Sequence, residues 1–181
     1  MQKKIIFLLT SLLLVFGVFL SSTDVIAKDS KRSFIKNPKK IYTYQYESGF
    51  IDSIKAREVY KDKKSSSQYW YSTVQMESEG VTEQQTTTYY NLRYTSTTLK
   101  IPRTLKVGTK IYAYSVYENN KKIYVGKITG TRATVKTKYK TFKNCITFSH
   151  DGTKSYLANN YGIVKRVDSK GKVLEQLIKV K

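Results

Sequence analysis

Residues 127–181, KITGTRATVKTKYKTFKNCITFSHDGTKSYLANNYGIVKRVDSKGKVLEQLIKVK, decide the fold class. They contain short runs rich in Val, Ile, Thr, Tyr and Phe, separated by Asp151-Gly152, Asn159-Asn160-Tyr161-Gly162 and Ser169-Lys170-Gly171. Such links are hairpin signals, because Asn, Asp and Gly accept the positive φ that a tight turn between twisted strands demands. Phe142, Ile146 and Phe148 fall on one face of a predicted strand, which makes them candidate core, and Cys145 falls on the other face with Lys143. Gly162, where the chain re-enters a strand, reads as a position of positive φ or close backbone approach.

The same periodicity continues outward toward the amino terminus. Lys40 to Tyr46 alternates with Tyr42, Tyr44 and Tyr46 on one face. Phe50 to Asp62 settles on neither period and reads as a strand, with a short helix as the alternative. Lys61 to Ser67 is a loop by composition, and Gln68 to Met76 is a strand that puts Trp70 and Ser72 on one face. Gln84 to Lys100 is rich in Thr and Tyr, with Tyr90, Leu92 and Tyr94 in phase, and Ile111–Tyr117 faces Lys122–Ile128 across Glu118 to Lys121. No stretch beyond the amino terminus has helical periodicity. The expectation is a mainly β domain, a single antiparallel curved sheet or partial barrel of about 8–10 strands.

The amino terminus reads differently. Met1 to Lys4 is short and basic, Ile5 to Leu20 is apolar, and Val25-Ile26-Ala27 suits signal-peptidase cleavage. The apolar run is shorter than the roughly 20 residues that span a bilayer. Residues 1–27 are therefore expected to be a signal peptide, a signal helix removed on export. Residues 28–40, polar and basic, read as a flexible leader, and 41–181 as one β domain.

The chain holds 33 Lys and Arg against 13 Asp and Glu, a net charge of +20. One cysteine, Cys145, excludes an intramolecular disulfide, and no cysteine follows Ala27 to carry a lipid. His150, the single histidine, lies five positions from Cys145, so in an extended strand the two side chains point apart. One His and one Cys do not make a zinc set. Glu77, Glu79 and Glu83 lack the calcium-loop pattern, and Glu77 and Glu79 read as a solvated strand face rather than as a glycosidase pair. No phosphate loop and no nucleophile elbow is present. The expectation is a protein that is not an enzyme and needs no metal or cofactor.

Two binding features remain. Lys136, Lys138 and Lys140 alternate with Val135, Thr137 and Tyr139, with Lys143 close behind, which predicts an ammonium stripe on one strand face. It reads either as protection of a strand edge or as a site for anionic cell-wall or membrane-surface polymers. Sixteen tyrosines against one tryptophan and seven phenylalanines read either as cross-strand pairs rimming a core or as the wall of a ligand cavity. Tyr42, Tyr44, Tyr46, Trp70, Tyr90 and Tyr94 are the cavity candidates. Specific nucleic-acid recognition is not expected, since no recognition motif is present.

Pro102, Leu105-Lys106-Val107-Gly108-Thr109-Lys110, Tyr139 to Cys145, Tyr156-Leu157-Ala158 and Tyr161 to Lys165 together resemble a recurrent pattern of exported bacterial single-domain β proteins. These are similar to the lipoprotein-carrier, LolA-like half-barrel group, mostly of unassigned activity. The chain departs from the pattern at Tyr161, where a small residue is favoured, and it lacks the N-terminal cysteine that anchors many members. The resemblance implies a long antiparallel sheet curled into an open half-barrel, and with it a carrier of a lipid or apolar ligand. Charge and signal imply instead a secreted, monomeric, cell-wall-associated protein that binds anionic polymers through a basic face.

Overall fold

The computed structural model describes residues 32–73, 80–103 and 106–181. Twelve strands fill them: β1 (Tyr42–Tyr46), β2 (Ile51–Lys61), β3 (Ser65–Ser72), β4 (Val81–Thr86), β5 (Tyr89–Arg93), β6 (Thr97–Pro102), β7 (Lys110–Ser115), β8 (Lys122–Lys136), β9 (Thr141–His150), β10 (Thr153–Ala158), β11 (Gly162–Val167) and β12 (Val173–Val180). Each strand pairs antiparallel with the next, and β1 pairs with β12 from Tyr42↔Val180 to Tyr46↔Glu175, so the sheet closes into a barrel. Among the described residues there is no helix, and the expected signal helix lies outside them.

Two expectations are corrected here. The sheet is a closed twelve-stranded barrel, not a half-barrel or partial barrel of 8–10 strands, because pairing between the first and last strands removes both free edges. The count rises because Gln84 to Lys100 folds into β4, β5 and β6, joined by short links at 87–88 and 94–96. The ambiguous segment after Phe50 is strand β2, without a helix.

The hairpin signals have the geometry their residues favour. Asn119 and Asn120 both have positive φ (46° and 57°) between β7 and β8. Asp151 and Gly152 do the same (45° and 72°) in the two-residue link that pairs His150 with Thr153. In β9, Asn144 has φ 56° and breaks the alternation, so Cys145 is buried beside Ile146 rather than facing out with Lys143.

The barrel keeps its apolar side inside. Tyr90, Ile101, Ile111, Ile128, Phe148 and Leu157 form one buried cluster, and Tyr42, Trp70, Phe142, Cys145 and Leu177 belong to a second. Outside, Lys55 on β2, Lys127 and Arg132 on β8, Lys143 on β9, Lys154 on β10 and Lys179 on β12 are exposed. A lipid-facing Lys or Arg costs about 2–4 kcal/mol near a bilayer midplane, so this wall suits water. Twelve strands also enclose more space than eight, whose interior side chains just fill. Large rings and an inserted segment of chain take up the difference.

Strand direction alternates, which sorts the links between two ends. The links 62–64, 87–88, 137–140 and 159–161 lie at the end where β1 begins, and 47–50, 94–96, 116–121, 151–152 and 168–172 lie at the other.

Candidate functional site

The end where β1 begins is closed by two segments. The first is the described part of the polar leader, 32–40, which is held by the barrel rather than running free of it. Arg32 Nη1 donates to Asn144 O (2.9 Å), Ser33 N to Asn159 Oδ1 (3.0 Å), Phe34 N to Gln85 Oε1 (2.7 Å) and Asn37 N to Tyr42 Oη (2.9 Å). Phe34 is fully buried and meets Tyr90 edge to face, with ring centroids 6.0 Å apart. Composition predicted mobility because apolar residues are few here. Phe34 and Lys36 are enough, since each finds a partner inside the barrel.

The second segment is the β8–β9 tip. Register shifts between Ile128 and Val135, together with the left-handed Asn144, bend this long hairpin. Its turn reaches β11, β12 and β1: Tyr139 N donates to Leu177 O (3.3 Å), Lys138 Nζ to Gln45 Oε1 (2.6 Å), and Lys165 Nζ to Lys136 O (3.1 Å). The expected lysine stripe is therefore corrected. Lys136 ends β8, Lys138 and Lys140 sit in the turn, and Lys143 is on β9, so the four do not share one strand face. Lys140 is engaged locally: its ammonium donates to Tyr161 Oη (2.8 Å), stands 4.1 Å from that ring's centroid, and holds the phenol below its ordinary pKa. Tyr161, where the family pattern favours a small residue, packs on Phe142, Tyr139 and Tyr42 as part of this cap.

Exposed lysines crowd the closed end: Lys39, Lys40, Lys61, Lys63, Lys64, Lys106, Lys110, Lys136, Lys138, Lys140, Lys143 and Lys181. Asp62 and, further down β2, Glu58 are the exposed carboxylates among them.

A buried carboxylate marks the barrel's middle. Glu83 on β4 has no exposed surface and accepts from Lys36 Nζ, Lys36 N (3.1 Å), Gln68 Nε2 (3.0 Å), Trp70 Nε1 (3.0 Å) and Tyr90 Oη (2.6 Å). Burial pushes this carboxyl up, but the Lys36 ammonium and the donated hydrogen bonds outweigh it, and Glu83 stays below its ordinary pKa. Gly162 is the close approach its sequence suggested: φ is +67°, and a Cβ there would lie 2.8 Å from both Glu83 Oε1 and Lys36 Nζ.

From this floor a cavity of about 250 Å³ runs toward the open end, lined by Tyr44, Tyr46, Trp70, Tyr94, Arg166 and Glu175 along with Ile54, Val81, Leu92, Ile163, Lys36 and Glu83. A second pocket of about 370 Å³ shares Tyr46, Ile54, Trp70, Val81 and Tyr94 with it and continues to Asp52, Ser72, Thr95 and Ser96. Tyr44, Tyr46, Trp70 and Tyr94 are thus brought to one cavity. Tyr42 and Tyr90 do not line it, and Tyr44 and Trp70, though they border it, are themselves buried in the second core cluster. Arg166 Nε lies 3.3 Å from Glu175 Oε2 but makes no directed hydrogen bond. Burial raises the Glu175 carboxyl, with Arg166 and Lys36 opposing. Burial, with the Glu175 charge adding, pushes the Tyr94 hydroxyl up to about 12, so it remains a donor at neutral pH.

Sequence reasoning missed Lys36, Glu83, Arg166 and Glu175. The one signal for Glu83 was its phase: it alternates with Val81 and pairs across to Gln68 and Leu92, which also face inward. Cys145 is a buried free thiol with its pKa raised to about 11 by desolvation, which keeps it unreactive. His150 pairs with its neighbour Asp151 at 3.2 Å, at the open end. Among the described residues, no group of three or more His, Cys, Asp or Glu side chains could hold a metal ion.

No protein-family model and no curated protein matches the sequence. Among solved structures, the chain is similar to one described as an exported protein with a YmcC-like fold from Bacteroides fragilis, at 12% identity and a TM-score of 0.52, over 83% of this chain and 99% of that one. It is also similar, with a TM-score of 0.44 and 10% identity over the same shares, to one described as a lipoprotein from Parabacteroides distasonis. The likeness to the Bacteroides protein is one of fold, and it puts a YmcC-like fold where the sequence resemblance implied a LolA-like half-barrel.

Proposed function

We propose that the chain works outside the cytoplasm as a secreted, non-enzymatic binding protein of the cell envelope, attaching to anionic cell-wall or membrane-surface polymers through the closed end of the barrel. The supporting observation is the distribution of charge. Lysines from the leader, from the β2–β3, β6–β7 and β8–β9 regions and at Lys181, including Lys136, Lys138, Lys140 and Lys143, converge on one end where Asp62 and Glu58 are the exposed acidic side chains. The exposed ion pairs Lys121–Glu118 and Lys172–Glu47 lie at the other end. Lysines spread for solubility would be interspersed with acids on both ends. Concentrated on one, they make a field that draws a polyanion and falls away with salt.

Washing cells with rising salt tests the attachment. Progressive release is expected, and full retention at about 1 M salt would count against it. The domain is proposed to act as a monomer without a cofactor.

The cavity favours a second reading, a carrier. Ile54, Val81, Leu92 and Ile163 give the cavity an apolar lining, while near the mouth the Arg166–Glu175 pair and the Tyr94 hydroxyl would lose water to a chain of methylenes. Native mass spectrometry of protein taken from its host would reveal a retained lipid, and a clean apo mass would remove that version of the idea.

A further inference from the structure

The charged and aromatic groups of the open-end cavity have not been given a use by attachment at the closed end. Their chemistry is specific. Lys36 and Glu83 cancel at the floor, and Arg166 and Glu175 cancel in the wall, so an ionic ligand meets no net attraction. The floor groups are saturated with hydrogen bonds, whereas among the described residues near the mouth the hydroxyls of Tyr46 and Tyr94 have no partner and Arg166 Nε has none with good geometry. Glu175 adds acceptors to those donors. Trp70, held by its indole N–H on Glu83 and 1% exposed, backs the cavity as part of the core, and Tyr46 and Tyr94 present the accessible rings. Apolar ring faces set beside unspent donors and acceptors suit a ligand with a flat C–H face and hydroxyls around its edge.

We propose that this cavity binds one unit of a neutral saccharide, with the ring lying against Tyr46 and Tyr94 and its hydroxyls taken by Arg166 and Glu175. The cavity of about 250 Å³ and the pocket of about 370 Å³ that shares Tyr46 and Tyr94 with it leave room for a sugar ring beside those two rings. Among the described residues, the segments that close the barrel, 32–40 and the β8–β9 tip, lie at the opposite end, so a sugar enters as a terminal unit.

Trp70 is the single tryptophan of the chain and lines the cavity, so its fluorescence reports occupancy directly. The mature protein is titrated with glucose, galactose, mannose and N-acetylglucosamine, and separately with glucuronate and decanoate. A saturable change with at least one neutral sugar is expected, weakened at least tenfold in Tyr94→Ala and in Glu175→Gln and unchanged in Tyr117→Ala on the distant β7–β8 link. Melting curves establish that each variant is folded, and Glu175→Gln carries the test if Tyr94→Ala is not. Silence with every neutral sugar, binding of decanoate or glucuronate alone, or full affinity in both mouth variants would overturn the proposal.

Discussion

Among the described residues, the exposed lysines at the closed end of the barrel have no ion pair with an acidic side chain and the plug fills the interior there; at the open end, Lys121 and Lys172 are paired with Glu118 and Glu47 and the interior holds a cavity. Exposed apolar side chains stand at both ends. Phe50, Ile51, Tyr94, Val116, Tyr117, Ile123 and Tyr124 lie toward the open end, and Val59, Tyr60, Tyr89 and Val107 toward the closed one. A meander barrel has two chemically equivalent ends by topology alone, so the difference comes from what the chain adds to each. Two segments that are long for their links, 32–40 and the bent β8–β9 tip, were added to one end, and they bring both the plug and many of the lysines.

The largest test of that division is its floor. Glu83→Ala leaves the Lys36 ammonium buried and unpaired, and a loss of about 3–5 kcal/mol in denaturant melts is expected; a loss under about 1 kcal/mol would mean that the pair does not hold the plug. Removing Phe34 or Phe148 by alanine substitution should each cost about 3–5 kcal/mol, because both are buried beside Tyr90 or Ile128 in the core. At the open end Tyr117→Ala, 74% exposed, should change stability by no more than about 0.5 kcal/mol. Equal costs at both ends would erase the contrast.

Acid sharpens it further. Glu83 has a depressed folded-state pKa, so its stabilisation is present above its ordinary value of 4.5 and is lost as pH falls through the lower folded value. Glu175 has the opposite sign: its raised pKa means the folded state gains as pH falls toward 4.5. Melting curves across this range should show Glu175→Gln losing the gain on the way down and Glu83→Gln losing the steep fall below it. An unchanged acid limb in Glu83→Gln would contradict the assignment.

Much of the barrel was legible because hairpins are local. Asn119-Asn120 and Asp151-Gly152 announce turns with residues that accept positive φ, and period-two alternation placed Tyr42, Tyr44 and Phe148 inward. Closure was not legible, since Tyr42 and Val180 are at opposite ends of the sequence and no local pattern marks them as partners. The lysine stripe failed for a related reason. Strict alternation from Val135 to Tyr139 looks like strand, yet Thr137 turns the chain by accepting from Tyr139 N and Lys140 N on its hydroxyl, at 3.2 Å each. Lys36 and Glu83 were hidden by composition, because a lone charged residue in a polar leader and another in a Thr/Gln-rich strand each look solvated until they are seen together.

Retention on immobilised polyphosphate measures the difference between the ends most directly. The unmodified protein is compared with a closed-end variant (Lys39→Gln, Lys63→Gln, Lys64→Gln and Lys143→Gln) and an open-end variant that loses as many charges (Lys121→Gln, Lys122→Gln, Lys170→Gln and Lys172→Gln). Elution of the closed-end variant at clearly lower salt, with the open-end variant close to the unmodified protein, is the predicted result; equal shifts, or a larger shift from the open end, would contradict attachment through the closed end.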